Sequence, residues 1–158
     1  MQLLMYNSLL ALNWMLLNGE VSLLNLCIGY VLGYGLLWLL RPLFSSITYF
    51  DKIHKAITFG FFFLWELFRA NINMVRLVLF KPNRDIHPAI IALPLKAETD
   101  AEIALLANLI SLTPGTLSLD VSSDQKVLYI HAIDVTDVDK LREELQKGLE
   151  ARLLEVMR

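Results

Sequence analysis

The stretch Asp51–Phe80 (DKIHKAITFGFFFLWELFRANINMVRLVLF) constrains this chain most. It is long enough to cross a membrane, yet Glu66, Arg69, Asn73 and Arg76 recur at spacings of three, four and three. Stepping about 100° per residue, these four share one sector roughly 80° wide, and Lys55 and Thr58 continue it backwards. Phe59 and Phe62 interrupt that polar edge, while Phe61, Leu64, Trp65, Phe68, Ile72, Val75 and Leu79 fall on the opposite side. A polar edge beside an aromatic and aliphatic side is the pattern of a helix lying in the membrane interface. Spanning would instead bury Glu66 and Arg69 near mid-bilayer, at about 2.5–3.5 kcal/mol each. The expectation is therefore an amphipathic interfacial helix over residues 51–80, with a third transmembrane helix as the alternative.

Composition sets the frame for that helix. Of 158 residues, 56% are hydrophobic, and the apolar residues concentrate before residue 81 while charges cluster after it. The asymmetry, with a mean hydropathy of +0.52, predicts a membrane part with an attached domain. A formal net charge of -2 gives no footprint for nucleic acid. Cys27 is the single cysteine and lies in an apolar run, so no disulfide or cysteine metal cluster forms within one chain.

Two apolar runs precede the long helix. Leu3–Leu17 contains Asn7, Ser8 and Asn13, and Leu23–Leu40 is stopped by Arg41-Pro42. Met1-Gln2 supplies no basic n-region, so the first run is expected to stay uncleaved. Joined by the polar turn Asn18–Ser22, the runs predict a transmembrane helical hairpin over residues 1–42. Gly29 and Gly33, with Gly35 nearby, form a small-xxx-small stripe that lets another helix approach closely. The turn carries only Glu20, whereas Arg41, Lys52 and Lys55 follow the second run. The positive-inside rule thus puts the N-terminus and Arg41 in the cytoplasm, and an interfacial third helix keeps residues 89–158 there too.

Lys81-Pro82 ends the long helix, because Pro82 disfavours helical geometry at Lys81. Beyond it, Ala89–Leu95 is strand-like, with Pro94 marking an edge or strand end. Thr99 and Glu102 make a capping box for a helix over Asp100–Ser111. Thr113-Pro114-Gly115-Thr116 reads as a turn in which Gly115 takes positive φ. Thr116–Val121 and Lys126–Ile133 alternate as strands around the hairpin turn Ser122–Gln125. A last amphipathic helix follows Thr136-Asp137, with Val138, Leu141, Leu145, Leu149, Leu153 and Val156 at helical spacing. The β-α-β-β-α order predicts a small α+β domain, ferredoxin-like without its last strand. Its open sheet face and edge are interface candidates.

No catalytic constellation emerges. His54, His87 and His131 lack metal-ligand spacing, no glycine loop has the spacing of a phosphate cradle, and Asp134, Asp137 and Asp139 are read as capping the last helix. Neither metal nor cofactor is expected, and no enzyme activity. Glu66 with Arg69 is the one candidate for ion handling, and Glu66, Arg69, Asn73 and Arg76 together are candidates for subunit contact.

The run LLANLISLTPGTLSLDV, followed by LYIHAIDV and the closing helix, resembles the E-type subunit of the Mrp-type (Mnh or Pha) multisubunit cation/proton antiporters. Leu112–Thr116 after the Leu-Ala-Asn helix is the specific part; WELFRAN and the following Lys81-Pro82 extend the resemblance over nearly the whole chain. Ser111 stands where threonine is more usual. The resemblance implies a plasma-membrane component of a secondary antiporter exchanging Na+, or in some members other monovalent cations, for protons. It implies that larger partner subunits contain the ion pathways, and that this one supports assembly or full activity within a hetero-oligomer in contact with lipid. Two alternatives stand beside an accessory role: direct ion transfer through Glu66 and Arg69, and a membrane-anchored ligand-sensing domain.

Overall fold

The computed structural model describes residues 2–44 and 48–158. Its internal contacts define two compact units, Met1–His54 and Lys55–Arg158. In the first, α1 (Gln2–Leu17) and α2 (Leu23–Leu39) form an antiparallel hairpin. Gly19 takes a φ of +70° to end α1, where a residue with Cβ would be strained. Ser22 opens α2 by accepting from the Asn25 N–H at 3.1 Å, which satisfies one of the donors that a helix start leaves free. Leu3, Leu37 and Phe50 make a buried cluster with Tyr34, Phe44 and Tyr49 around it.

The two helices pair as a helical hairpin, and both are short. At about 1.5 Å per residue α1 reaches ~24 Å and α2 ~26 Å, against ~30 Å of hydrocarbon. Among the described residues no helix is long and apolar enough to cross a membrane. A 3-10 turn, Arg41–Leu43, follows α2. The long helix α3 spans Thr48–Phe80, 33 residues, and so begins three residues before Asp51.

The second unit carries β1 (Ala89–Pro94), α4 (Asp100–Leu112), β2 (Thr116–Val121) and β3 (Val127–Ala132). Its C-terminal helical run consists of α5 (Val138–Glu144), a π-helical stretch (Leu145–Glu150) and α6 (Ala151–Met157). The sheet is three-stranded in the order β1-β3-β2, and β3 pairs antiparallel with both neighbours. Alternation sends Ile91, Leu93, Leu128 and Ile130 to the helix-covered face, all at most 1% exposed. There Leu93, Leu128 and Ile130 cluster with Leu106, Leu109 and Ile110 of α4 and with Leu149 and Leu153. Ile90, Leu117 and Tyr129 point to the open face, as the two-residue period requires. The outer edge of β1 is partly closed. Pro94 has no N–H to offer, and Arg142 and Gln146 donate to the carbonyls of Ala92 and Pro94 at 3.2 and 2.8 Å.

The π-helical stretch departs from the single amphipathic helix expected. Leu141, Leu145, Leu149 and Leu153 are separated by steps of four, so in a 3.6-residue helix each step drifts by ~40°. Wider π winding absorbs that drift and keeps Leu149 and Leu153 in the core. It also brings Glu150 inward, fully buried. One Glu150 carboxylate oxygen accepts the N–H groups of Lys96 and Ala97 at 2.6 and 3.0 Å. The next two amides, Glu98 and Thr99, donate to Glu102, and the Thr99 hydroxyl completes the capping box. Four consecutive loop amides are thus held by two carboxylates.

Asp137 caps α5 through the N–H groups of Asp139 and Lys140. Asp134 does not share that task, contrary to expectation: it lies before the cap and binds the end of α3 instead. Asp139 pairs with Arg142 at 2.5 Å.

Candidate functional site

Within the second unit α3 has two unlike sides. Toward the domain, Phe59, Phe62 and Phe63 pack on the core cluster, and the Arg152 guanidinium sits 4.1 Å over the Phe62 ring, a cation–π contact. Packing against the domain is why Phe59 and Phe62 interrupt the polar edge. At the other end, Lys81 Nζ meets Asp134 at 2.5 Å, and Asp134 also accepts the His87 backbone N–H at 3.1 Å. Hydrogen bonding from Lys81, then from His87, lowers the Asp134 pKa below its usual value. The opposite side is apolar and open: Phe61, Leu64, Trp65, Phe68, Val75 and Leu79 are each more than half exposed.

Between the aromatic anchor and the Lys81–Asp134 anchor, α3 and the domain part to leave a cleft of about 660 Å³. Glu66, Arg69 and Asn73 line its helix side, and Thr113–Thr116 line it from the domain. The structure therefore brings together two groups singled out separately in the sequence. Arg76 is exposed and does not line the cleft. Glu66 and Arg69 form an ion pair at 3.4 Å, with side chains 31% and 56% exposed. A half-solvated i,i+3 pair of this kind contributes well under 1 kcal/mol.

The Thr113–Thr116 turn is tightly tied to α4. The Thr113 hydroxyl donates to the Leu109 carbonyl at 3.0 Å, and the Thr116 hydroxyl donates to those of Ile110 and Thr113 at 2.7 and 3.0 Å. Both threonines thus satisfy carbonyls that a helix end leaves free. Gly115 has φ +95°, and a Cβ there would also lie 3.2 Å from the Ile133 methyl. The turn's chemistry is that of a rigid corner.

In the hairpin, a Cβ on Gly29 would come within 2.8 Å of the Ala11 backbone. Gly33 lies against Asn7, whose amide donates to the Tyr49 hydroxyl at 2.7 Å. Gly35 has open space around it. His54 lies on α3, His87 in the linker and His131 on β3, apart from one another in the chain's elements, and among the described residues no group of three metal-ligating side chains forms. Sequence reasoning passed over Asp134 as a clasp, Arg152, and the bond between Glu102 and Arg158 at 2.9 Å. Each joins residues dozens of positions apart, and no local spacing signals that.

A family model described as Na+/H+ ion antiporter subunit (MNHE) matches residues 7–156. The chain belongs to this family. Its relatives include the E-type Na(+)/H(+) antiporter subunit of Alkalihalophilus pseudofirmus, 41% identical over 95% of this chain and 94% of that one. The corresponding Bacillus subtilis protein is 38% identical over 96% of each. Among solved structures, a chain of the Mrp complex from Dietzia sp. DQ12-45-1b is similar at 27% identity with a TM-score of 0.51, covering 65% of this chain and 96% of that one. A chain of the membrane-bound sulfane sulfur reductase, an archaeal respiratory membrane complex, is similar at 26% identity with a TM-score of 0.58 over 96% of each. Its kin of known structure are thus components of multisubunit membrane complexes.

Proposed function

We propose that this family member is an accessory component of a multisubunit Na+/H+ antiporter, holding other membrane subunits together rather than conducting ions by itself. The observation that carries this reading is the apolar side of α3, exposed from Ile57 to Phe80. A surface of that extent marks contact with lipid or another protein. Glu66 meets Arg69 on the same helix, which gives it a local charge partner.

The same contacts support α3 as a helix on the membrane surface. The charged domain is attached to one side of the helix at Phe59–Phe63 and again at Lys81, so lipid cannot surround the helix at either place. The domain then stays on the side of Arg41 and Lys52, in the cytoplasm, and is read as ferredoxin-like without its last strand. The α1–α2 hairpin, with Leu4, Leu9, Leu24, Val31 and Trp38 exposed, is read as membrane-embedded. Local bilayer thinning takes up its short length at a modest cost.

Affinity purification of the tagged chain from membranes in mild detergent tests the function. Several large polytopic partners are expected to co-purify, and recovery of the chain alone would refute it. Cysteine placed at Ser123 should resist impermeant labelling in intact cells; labelling from outside would refute the cytoplasmic domain.

A further inference from the structure

We infer that the edge of α3 carrying Arg69 and Arg76 recognises anionic phospholipid, binding headgroup phosphates while the exposed apolar side of the helix meets the acyl chains. The inference rests on the reading of α3 as a membrane-surface helix and names the class of lipid that such a helix selects. Charge within the second unit is sharply divided. Residues 55–84 carry five bases, Lys55, Arg69, Arg76, Lys81 and Arg84, against the single acid Glu66. Residues 85–158 carry thirteen acids and seven bases. The formal net charge of -2 for the whole chain conceals that division.

The bases of α3 also stand where headgroups would be. At about 100° per residue, Arg69 and Arg76 fall within ~20° of each other on one edge of the apolar side. They are ~10.5 Å apart along the axis, and Lys55 extends the same edge toward the helix start. The other edge, with Gly60, Leu67, Asn71 and Val78, carries no charge. Lys81 and Arg84 are paired with Asp134 and Asp85, whereas Lys55 and Arg76 are exposed and have no ion-pair partner among the described residues. Arg69 is 56% exposed and held by a single 3.4 Å contact, so it keeps guanidinium donors in a geometry that suits phosphate. Charge complementarity then decides the surface. A zwitterionic bilayer gives these bases no net attraction, whereas an anionic one raises the local partition about fivefold for each basic side chain beside it. An acidic protein would match the arginines, but the apolar side exposed from Ile57 to Phe80 runs beside them. A bilayer of anionic lipid presents apolar depth and phosphate side by side. The acidic remainder of the unit is repelled by that same surface, which turns α3 toward it.

A benzophenone side chain introduced at Phe68 of the full chain tests this, with the purified complex in nanodiscs of phosphatidylcholine containing a minority of phosphatidylglycerol. Photolysis is expected to give phosphatidylglycerol adducts several-fold above that lipid's share of the disc. Arg69→Gln together with Arg76→Gln should bring the adducts down to that share. Arg69→Lys together with Arg76→Lys, which keep the charge, should preserve the enrichment. Adducts at the bulk share in the otherwise unaltered chain overturn the inference and leave α3 on the membrane surface. Enrichment that survives the glutamine pair overturns the arginine edge, and its loss in the lysine pair shows that charge does not select the lipid. No lipid adduct, or an adduct with another protein alone, sinks the membrane-surface reading as well.

Discussion

At the scale of single residues, glycines that look equivalent in the sequence stand in different surroundings. A Cβ on Gly29 would press on the Ala11 backbone, whereas Gly35 faces open space. Backbone cannot move aside as a side chain can, so Gly29→Leu should destabilise the hairpin by about 1–3 kcal/mol or more. Gly35→Leu should leave thermal unfolding in detergent unchanged. A second residue-scale test concerns acid. The Arg158 hydrogen bond, followed by the Glu98 N–H, holds the Glu102 carboxyl at about 2 from an ordinary 4.5. A carboxyl with a lowered folded-state pKa stabilises the fold fully above its unfolded value. Its contribution here is lost as pH falls from about 4.5 through about 2. Arg158→Ala should lower stability at neutral pH and flatten the acid dependence in that window, as read from unfolding midpoints in a pH series. An unchanged acid slope would show that the pair is not what holds the proton off.

At the scale of elements, the C-terminal helical run shows how far periodicity carries. Its leucines at steps of four are a readable sign of over-wide winding, though only the core's position shows that Leu149 and Leu153 must both face inward. Gly148 lies in the π stretch with no atom close enough to obstruct a Cβ. Gly148→Ala should therefore stabilise the domain by about 0.5–1 kcal/mol through helix propensity. Deleting Gly148 should instead convert the stretch to ordinary α winding with Leu149 and Leu153 still in the core, because the leucines would then stand at steps of four, three and four. Circular dichroism melts of the two variants distinguish the effects. The long helix teaches a related lesson. Its polar edge was legible from Glu66, Arg69, Asn73 and Arg76, but the partner of Phe59 and Phe62 was not, since the core they join is assembled from α4, β1, β3 and the C-terminal run.

At the scale of the whole molecule, an accessory role predicts which losses hurt transport. Glu66→Gln should retain assembly and antiport within about twofold, since a partly exposed surface pair contributes little. Everted-vesicle exchange measurements on the intact complex check this, and lost exchange with normal assembly would move Glu66 into the ion path. Replacing Phe61 and Phe68 with serine together should instead weaken retention of the complex at the membrane while leaving the domain's fold intact, because neither ring belongs to its core.

By itself the sequence determined the two short apolar helices, the amphipathic helix before Pro82, the Thr99 capping box and the β-α-β-β-α order. Each follows from interactions between residues a few positions apart: periodicity, caps and turn chemistry. The family signature in Leu112–Thr116 was legible for the same reason, because it is a contiguous corner. Only the tertiary structure decided that Asp134 clasps Lys81, that Glu150 is buried on the Lys96–Ala97 amides, and that Glu66 and Asn73 of α3 share a cleft with Thr113–Thr116. Those are contacts between distant segments, set by how the core packs, and no local spacing encodes which side of a helix will meet which strand.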